Sequence, residues 1–195
     1  MIDEYSKHGP ALVPGFLRGY RSWLVTDDRS RVDEIGLDGD LRLLSMTYTN
    51  YRWLPGLQHA TCAHNLLPDD APPHESAPSV GCECGFYAHH EGFPSNYPAY
   101  VEGSIKVTGR VILGTRGFRA EKAEIEALCI GSLARRAPNC QCCIKIYQLF
   151  QESAPQIIQY LGRRFRVPTF LDSNELMQAF PPMDISALID PAVVR

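Results

Sequence analysis

Motifs that would identify a catalytic function are missing from this chain. Its 195 residues contain no Ser-centred nucleophile elbow, no paired-carboxylate motif, no H-E-x-x-H pair and no phosphate-binding loop. The sequence therefore does not identify a substrate. The missing motifs leave enzymatic activity open and favour a protein that is not an enzyme.

Long hydrophobic runs are missing as well. No window approaches the roughly 20 apolar residues that a bilayer-spanning helix needs. Residues 1–10 carry Asp3, Glu4, Lys7 and His8 rather than the apolar core of a signal peptide. We therefore expect a cytoplasmic protein without a membrane segment.

A strong excess of one charge is also absent. The formal net charge of −3 excludes an overall basic protein that binds polyanions. The charge is uneven, however, because residues 101–170 hold eleven Lys and Arg against five Asp and Glu. The arginines of this stretch either form one basic face or lie on separate solvent-exposed surfaces. The candidate nucleic-acid contacts are Arg110, Arg116, Arg119, Arg163 and Arg164.

The composition is that of one ordinary soluble domain, with 45% hydrophobic and 21% charged residues. We expect a single globular domain over residues 1–180 and a loose tail over 181–195. Seven cysteines, several in Cys-x-Cys arrangements, occur without an export signal. This pattern favours thiolates that bind metal over a framework of disulfides.

Strands and helices are predicted in separate parts of the chain. Apolar and polar residues alternate as in strands, and turn signals bound the segments. Residues 118–128 fit either a helix or a strand, and a strand is favoured because the preceding strand needs a hairpin partner. The predicted strands are 19–26, 41–46, 47–54, 101–113 and 118–128.

Two capping-box spacings predict helices near the C-terminus. Ser153 with Gln156 and Asp172 with Glu175 precede helically spaced apolar residues. The helices should cover about 154–164 and 174–180, within a helical part of about 144–180. The expected fold class is α+β: a small antiparallel sheet or barrel, a zinc-clamped loop and two C-terminal helices.

The loop expected over about 57–100 is rich in proline and poor in strand signals, so it needs a clamp. Three thiols and an imidazole suit tetrahedral zinc, and a shell of four protein ligands indicates a structural ion. His64 is the alternative to His74 as the histidine ligand. The alternative to a metal site is that Cys62 and Cys82 are ordinary buried thiols and His74 is a loop histidine. The candidate ligands are Cys62, His74, Cys82 and Cys84.

A second cysteine group suggests a second metal or an iron–sulfur cluster. Its members are Cys129, Cys140, Cys142 and Cys143. Adjacent ligands are awkward, because neighbouring side chains of an extended chain point to opposite faces. The simpler interpretation places Cys129 in the core and the other three on a loop, with an oxidisable thiol.

Four short motifs surround the candidate zinc ligands. They are W-x-P-G at 53–56, H-E-x-A-P at 74–78, C-x-C-G-x-Y-A at 82–88 and G-F-R-A-E-x-A at 117–123. Together they resemble a family of uncharacterised bacterial and phage proteins, over about residues 19–181. The resemblance supports the four ligands as a set but implies no activity. The chain departs from the family at Arg166, where the family has glycine.

Three functions remain open from the sequence. A zinc-stabilised binding or regulatory module with a protein partner needs the fewest special residues. A nucleic-acid-binding zinc protein would use the arginines and nearby aromatic side chains. An enzyme would need Cys84 or Cys143 as a nucleophile with His89 or His90 as its base. The oligomeric state is left open.

Overall fold

The computed structural model describes residues 11–26, 41–46, 51–62, 74, 76–93, 101–131 and 141–185, without the side chains of 141–152. Eight strands and two helices occur in this part of the chain. They are β1 (Ala11–Thr26), β2 (Arg42–Ser45), β3 (Arg52–Trp53), β4 (Gln58–His59), β5 (Phe86–His89), β6 (Val101–Leu113), β7 (Gly117–Ile130), α1 (Gln141–Phe165), β8 (Thr169–Phe170) and α2 (Ser173–Ala179).

The framework of the fold is the long hairpin of β6 and β7. A tight connection joins the two strands, and the Gly114 N–H donates to the Gly117 carbonyl oxygen at 2.7 Å. β1 pairs antiparallel with the other edge of β6, from Ala11 opposite Val111 to Trp23 opposite Val101. The strand favoured over 118–128 is thus confirmed, because β7 covers it.

The strands pair in a closed circuit. β1 pairs with β6, β6 with β7 and β7 with β5, and a single Tyr20–His89 bridge links β5 to β1. β4 joins the edge of β7, and β2 with β3 extends the edge of β1. β8 pairs parallel with β7, so the sheet is mixed rather than purely antiparallel. The expectation of a closed barrel stays a prediction.

The main core lies between the sheet and α1. Residues of α1 at helical spacing belong to the same core cluster as buried strand residues such as Trp23 and Phe118. A smaller cluster joins Tyr20, Ala127 and Cys129 to Leu176 of α2. The inward residues of α1 are Ala154, Ile157, Ile158, Leu161 and Phe165. A mixed sheet with two helices late in the chain agrees with the α+β class.

Helix α1 differs most from expectation. It begins at Gln141 instead of near residue 154, and Pro155 lies in its interior. The spacing of Ser153 and Gln156 predicted that the helix begins there, but the helix begins earlier and continues through Pro155. The proline removes one backbone hydrogen bond of the helix. Cys142 and Cys143 therefore lie on a helix rather than on a loop. α2 begins after its predicted cap: Asp172 accepts from the Asn174 and Glu175 backbone N–H groups.

Smaller differences concern the first half of the chain. β1 starts earlier than predicted, and within 47–54 only Arg52–Trp53 is a described strand, while 47–50 lies outside the described residues. The loop expected over 57–100 contains β4 and β5. None of the helices in the described part of the chain combines the length and the apolar composition needed to cross a membrane.

Candidate metal centre

Four side chains from three separated segments meet beside the edge of β7. Cys62 follows β4, His74 lies between two segments outside the described residues, and Cys82 and Cys84 precede β5. Pairing of both β4 and β5 with β7 holds these segments at one sheet edge. The four predicted ligands therefore lie close together. His64, the alternative to His74, lies outside the described residues.

The distances between the ligand atoms suit a tetrahedral ion. The sulfurs of Cys62 and Cys82 are 3.5 Å apart, and the Cys84 sulfur is 3.5 Å from His74 Nε2. All four ligand atoms lie within 4.8 Å of one another. Zinc with bonds of about 2.3 Å to sulfur would separate two thiolates by about 3.8 Å. The four residues lie close enough together to bind a metal ion.

A glycine-dependent turn presents Cys82 and Cys84. We call residues 76–85 the metal loop. The Cys82 N–H donates to the Ser79 carbonyl oxygen at 3.3 Å, and Gly81, with φ of +80°, occupies the turn position that requires a positive φ. At Gly85 a Cβ atom would lie 3.1 Å from Pro78 and 3.2 Å from Arg119. The loop thus reverses tightly directly before β5.

The imidazole is oriented by the backbone of the same loop. His74 Nδ1 is 3.0 Å from the Ser76 carbonyl oxygen. A carbonyl oxygen can only accept, so the proton is on Nδ1 and Nε2 is free to face the cysteines. This arrangement is common for histidines that bind metals.

Arg119 of β7 fastens the metal loop to the sheet. Its guanidinium donates to the Cys84 carbonyl oxygen at 3.1 Å and also to the Cys82 carbonyl oxygen. It lies 5.9 Å from the centre of the Tyr87 ring. The side chain is buried, with 5% exposure of the residue. Arg119 therefore holds the backbone carbonyl groups of both cysteines.

Arg110 of β6 makes a second attachment. Its guanidinium donates to the Ser76 hydroxyl and, at 3.2 Å, to Glu121. The same carboxylate accepts from the Arg110 backbone N–H at 3.1 Å, and these contacts lower the pKa of Glu121. Ser76 also orients His74 through its carbonyl oxygen. Arg110 is thus linked to the imidazole through one residue.

The protonation of Cys84 reflects its surroundings. Burial raises the pKa of this thiol to about 12 in the absence of a metal ion, against a hydrogen bond from the Ser79 backbone. A bare Cys84 is therefore a neutral thiol at pH 7. Metal binding would have to displace its proton.

The second cysteine group is only partly within the described residues. Cys129 is a buried cysteine outside any disulfide, near the end of β7, as expected for a core residue. Cys140 lies outside the described residues, as do the side chains of Cys142 and Cys143. A second metal site at these four residues stays a prediction.

The candidate nucleic-acid contacts have different surroundings. Arg110 and Arg119 contact the metal loop, whereas Arg116 is exposed in the turn before β7. Arg163 lines a groove at the end of α1, and Arg164 beside it is half-buried. α1 ends near β8, which pairs with the last residues of β7. Arg116 and Arg163 therefore lie toward opposite ends of β7.

The two histidines considered for catalysis lie outside the cluster of metal ligands. His90 is buried, and its Nε2 lies 2.8 Å from the Gly114 carbonyl oxygen. Burial lowers the pKa of His89 and of His90, and Arg116 adds to the effect at His89. Among the described histidines, it is His74 whose Nε2 lies 3.5 Å from the Cys84 sulfur.

Comparisons with models of protein families, with curated proteins and with solved structures find no match to this chain. The resemblance to a bacterial and phage family therefore stays a prediction.

Sequence reasoning missed the supporting residues of the site. It assigned Arg110 and Arg119 to nucleic acid, because their charge was visible and their partners were not. The partners of Arg119 lie 35 and 37 residues away in sequence. Gly81 had a local signal, since glycine two residues after Ser79 is typical of a turn that requires positive φ.

Proposed function

We propose that this protein is a zinc-stabilised binding module, in which Cys62, His74, Cys82 and Cys84 hold one structural zinc ion. The observation that carries the proposal is the meeting of all four ligand atoms within 4.8 Å. Three sulfurs and one imidazole suit zinc better than the oxygen-preferring cations. Four protein ligands leave no position for an activated water, which supports a structural role.

Zinc would fasten the metal loop, since its ligands come from segments that share few other apolar contacts. Cys62, Ala77 and Cys84 form a small cluster separate from the main core. The loop carries Val80, which is 47% exposed, and Leu54 and Leu57 are 49% and 51% exposed. These apolar side chains support a protein partner, which stays a prediction.

The metal content of the purified full-length chain tests the proposal. We expect one zinc ion per chain by elemental analysis, and loss of that ion in Cys84→Ala. Cys129→Ala is the matched control, because it removes a buried thiol outside the cluster and should retain the zinc. Iron in place of zinc, or equal zinc in wild type and Cys84→Ala, would contradict the proposal.

A further inference from the structure

An open groove of about 440 Å³ lies where α1 ends and the chain turns into β8. Arg163 and Gln159 of α1 line one part of the groove. Arg166 and Thr169, from the segment that follows the helix, line another part. None of its lining residues belongs to the metal loop. The groove is therefore a second site that does not depend on zinc.

The two arginines of the groove have no protein partner in the described part of the chain. Both are exposed, and neither guanidinium makes an ion pair or hydrogen bond with a described residue. Arg18, by contrast, donates to Glu126 at 2.6 Å. Residues 153–171 include no Asp or Glu at all. Among the described residues, the groove thus carries positive charge without a carboxylate partner, in a chain whose net charge is negative.

The backbone at Arg166 is a conformational exception. Arg166 has φ of +57° and is the single non-glycine residue with positive φ in the described part of the chain. The Val167 N–H donates to the Gly162 carbonyl oxygen at 3.0 Å, which is the helix-ending arrangement that favours glycine at position 166. An arginine here keeps a steric penalty that glycine would avoid. Such exceptions are frequent at functional positions.

Close packing keeps the groove on rigid elements. A Cβ atom at Gly162 would lie 2.3 Å from the Thr169 side chain, so only glycine lets the last turn of α1 approach β8 this closely. Leu161 and Phe165 anchor the same turn in the main core. The two arginines therefore project from a fixed backbone, as a binding site requires.

We propose that this groove binds a phosphate group, with the guanidinium groups of Arg163 and Arg166 as its principal donors. Guanidinium matches the geometry of phosphate oxygens and forms paired charge-assisted hydrogen bonds with them. The Gln159 amide and Thr169 hydroxyl line the groove and are further donors. A helix C-terminus repels anions, so binding depends on the arginines. The phosphate belongs either to a small phosphorylated molecule or to a nucleic-acid chain.

Two probes distinguish these sources on the metal-loaded full-length protein. One is a labelled single-stranded oligothymidylate followed by fluorescence anisotropy, and the other is ADP followed by calorimetry. Much tighter binding of the oligonucleotide identifies a nucleic-acid chain, and its affinity should fall with salt with a log–log slope of about −0.7 for each neutralised phosphate. Equal or tighter binding of ADP identifies a small phosphorylated ligand.

The variant Arg166→Gly separates binding from folding. Glycine suits the backbone at position 166, so the melting temperature should be unchanged or higher, while affinity for the bound probe should fall about tenfold or more. Arg163→Gln should weaken binding similarly, and both changes together should abolish it. Arg116→Gln is the matched control, because it removes an exposed arginine near the other end of β7.

The proposal is overturned if neither probe binds. It is also overturned if Arg116→Gln weakens binding as much as Arg166→Gly, or if the double variant binds like wild type.

Discussion

At the scale of single residues, the metal loop is held by a buried arginine that is not a ligand. Arg119 donates to the carbonyl oxygens of Cys82 and Cys84, and these two residues also supply two of the four ligand atoms. Removing the guanidinium would leave buried carbonyl groups without donors, at a cost of about 1–3 kcal/mol. Arg119 is therefore a positioning residue for the candidate metal ligands.

Arg119→Ala should weaken zinc binding about 10- to 100-fold, as loss of outer-shell partners commonly does. The affinity can be measured by competition with a chromophoric chelator. Arg116→Ala is the control, since it removes an exposed arginine. An Arg119→Ala variant that folds and binds zinc like wild type would show that the loop positions its ligands alone.

Another single residue, Arg21, joins three strands. From β1 it donates to the Tyr87 carbonyl oxygen of β5 and to the Ser45 hydroxyl of β2, both at 2.6 Å, and it lies 5.1 Å from the Trp53 ring centre. Burial lowers the pKa of Arg21 to about 10. The guanidinium is thus still charged at pH 7, held by neutral partners and an aromatic face.

At the scale of elements, the β6–β7 hairpin depends on glycine at close approaches. Gly103 of β6 faces β7, and a Cβ atom there would lie 2.2 Å from the Ala127 carbonyl oxygen and 3.0 Å from Trp23. A strand backbone cannot shift locally without changing its ladder of hydrogen bonds. The two strands therefore pack this closely only because position 103 has no side chain.

Gly103→Ala should lower the free energy of unfolding by about 1–3 kcal/mol or more, as overpacking a core does. Urea denaturation measures the change. Ser104→Ala is a matched control on the next residue: its buried hydroxyl has no hydrogen-bond partner among the described residues, so its loss should be neutral or stabilising. Equal stability of Gly103→Ala and wild type would show that the hairpin can relax.

At the scale of the whole molecule, the metal loop and the main core are separate parts of the structure. The four metal ligands are absent from the main core, which joins the sheet to α1. The long pairings of β6 with β1 and with β7 involve none of them. Loss of the metal should therefore act locally.

Removal of zinc with a chelator should raise amide hydrogen exchange in the metal loop and leave the β6–β7 hairpin protected. Mass spectrometry of peptides from the exchanged protein measures both regions in one sample. Cys84→Ala should reproduce the pattern of the chelated protein. Cooperative loss of protection in both regions would mean that the metal and the core stabilise the fold as one unit.

The sequence predicted most of the elements because their signals are local. Alternation along 101–113 and 118–128 gave the central hairpin, and Asp172 with Glu175 gave the start of α2. It failed at α1, because the spacing of Ser153 and Gln156 marked a start inside a helix that already begins at Gln141. The parallel pairing of β8 with β7 has no local signal, because it depends on where α1 returns the chain.

By itself, the sequence determined which groups can bind a metal and which faces are apolar, because residue type and short spacing fix both properties. Only the tertiary structure decided what surrounds them. It assigned Arg110 and Arg119 to the metal loop, and it placed Arg163 and Arg166 beside one groove, without a partner among the residues that the structure describes. Charge is visible in a sequence, but the partner of a charge depends on contacts between residues far apart in the chain.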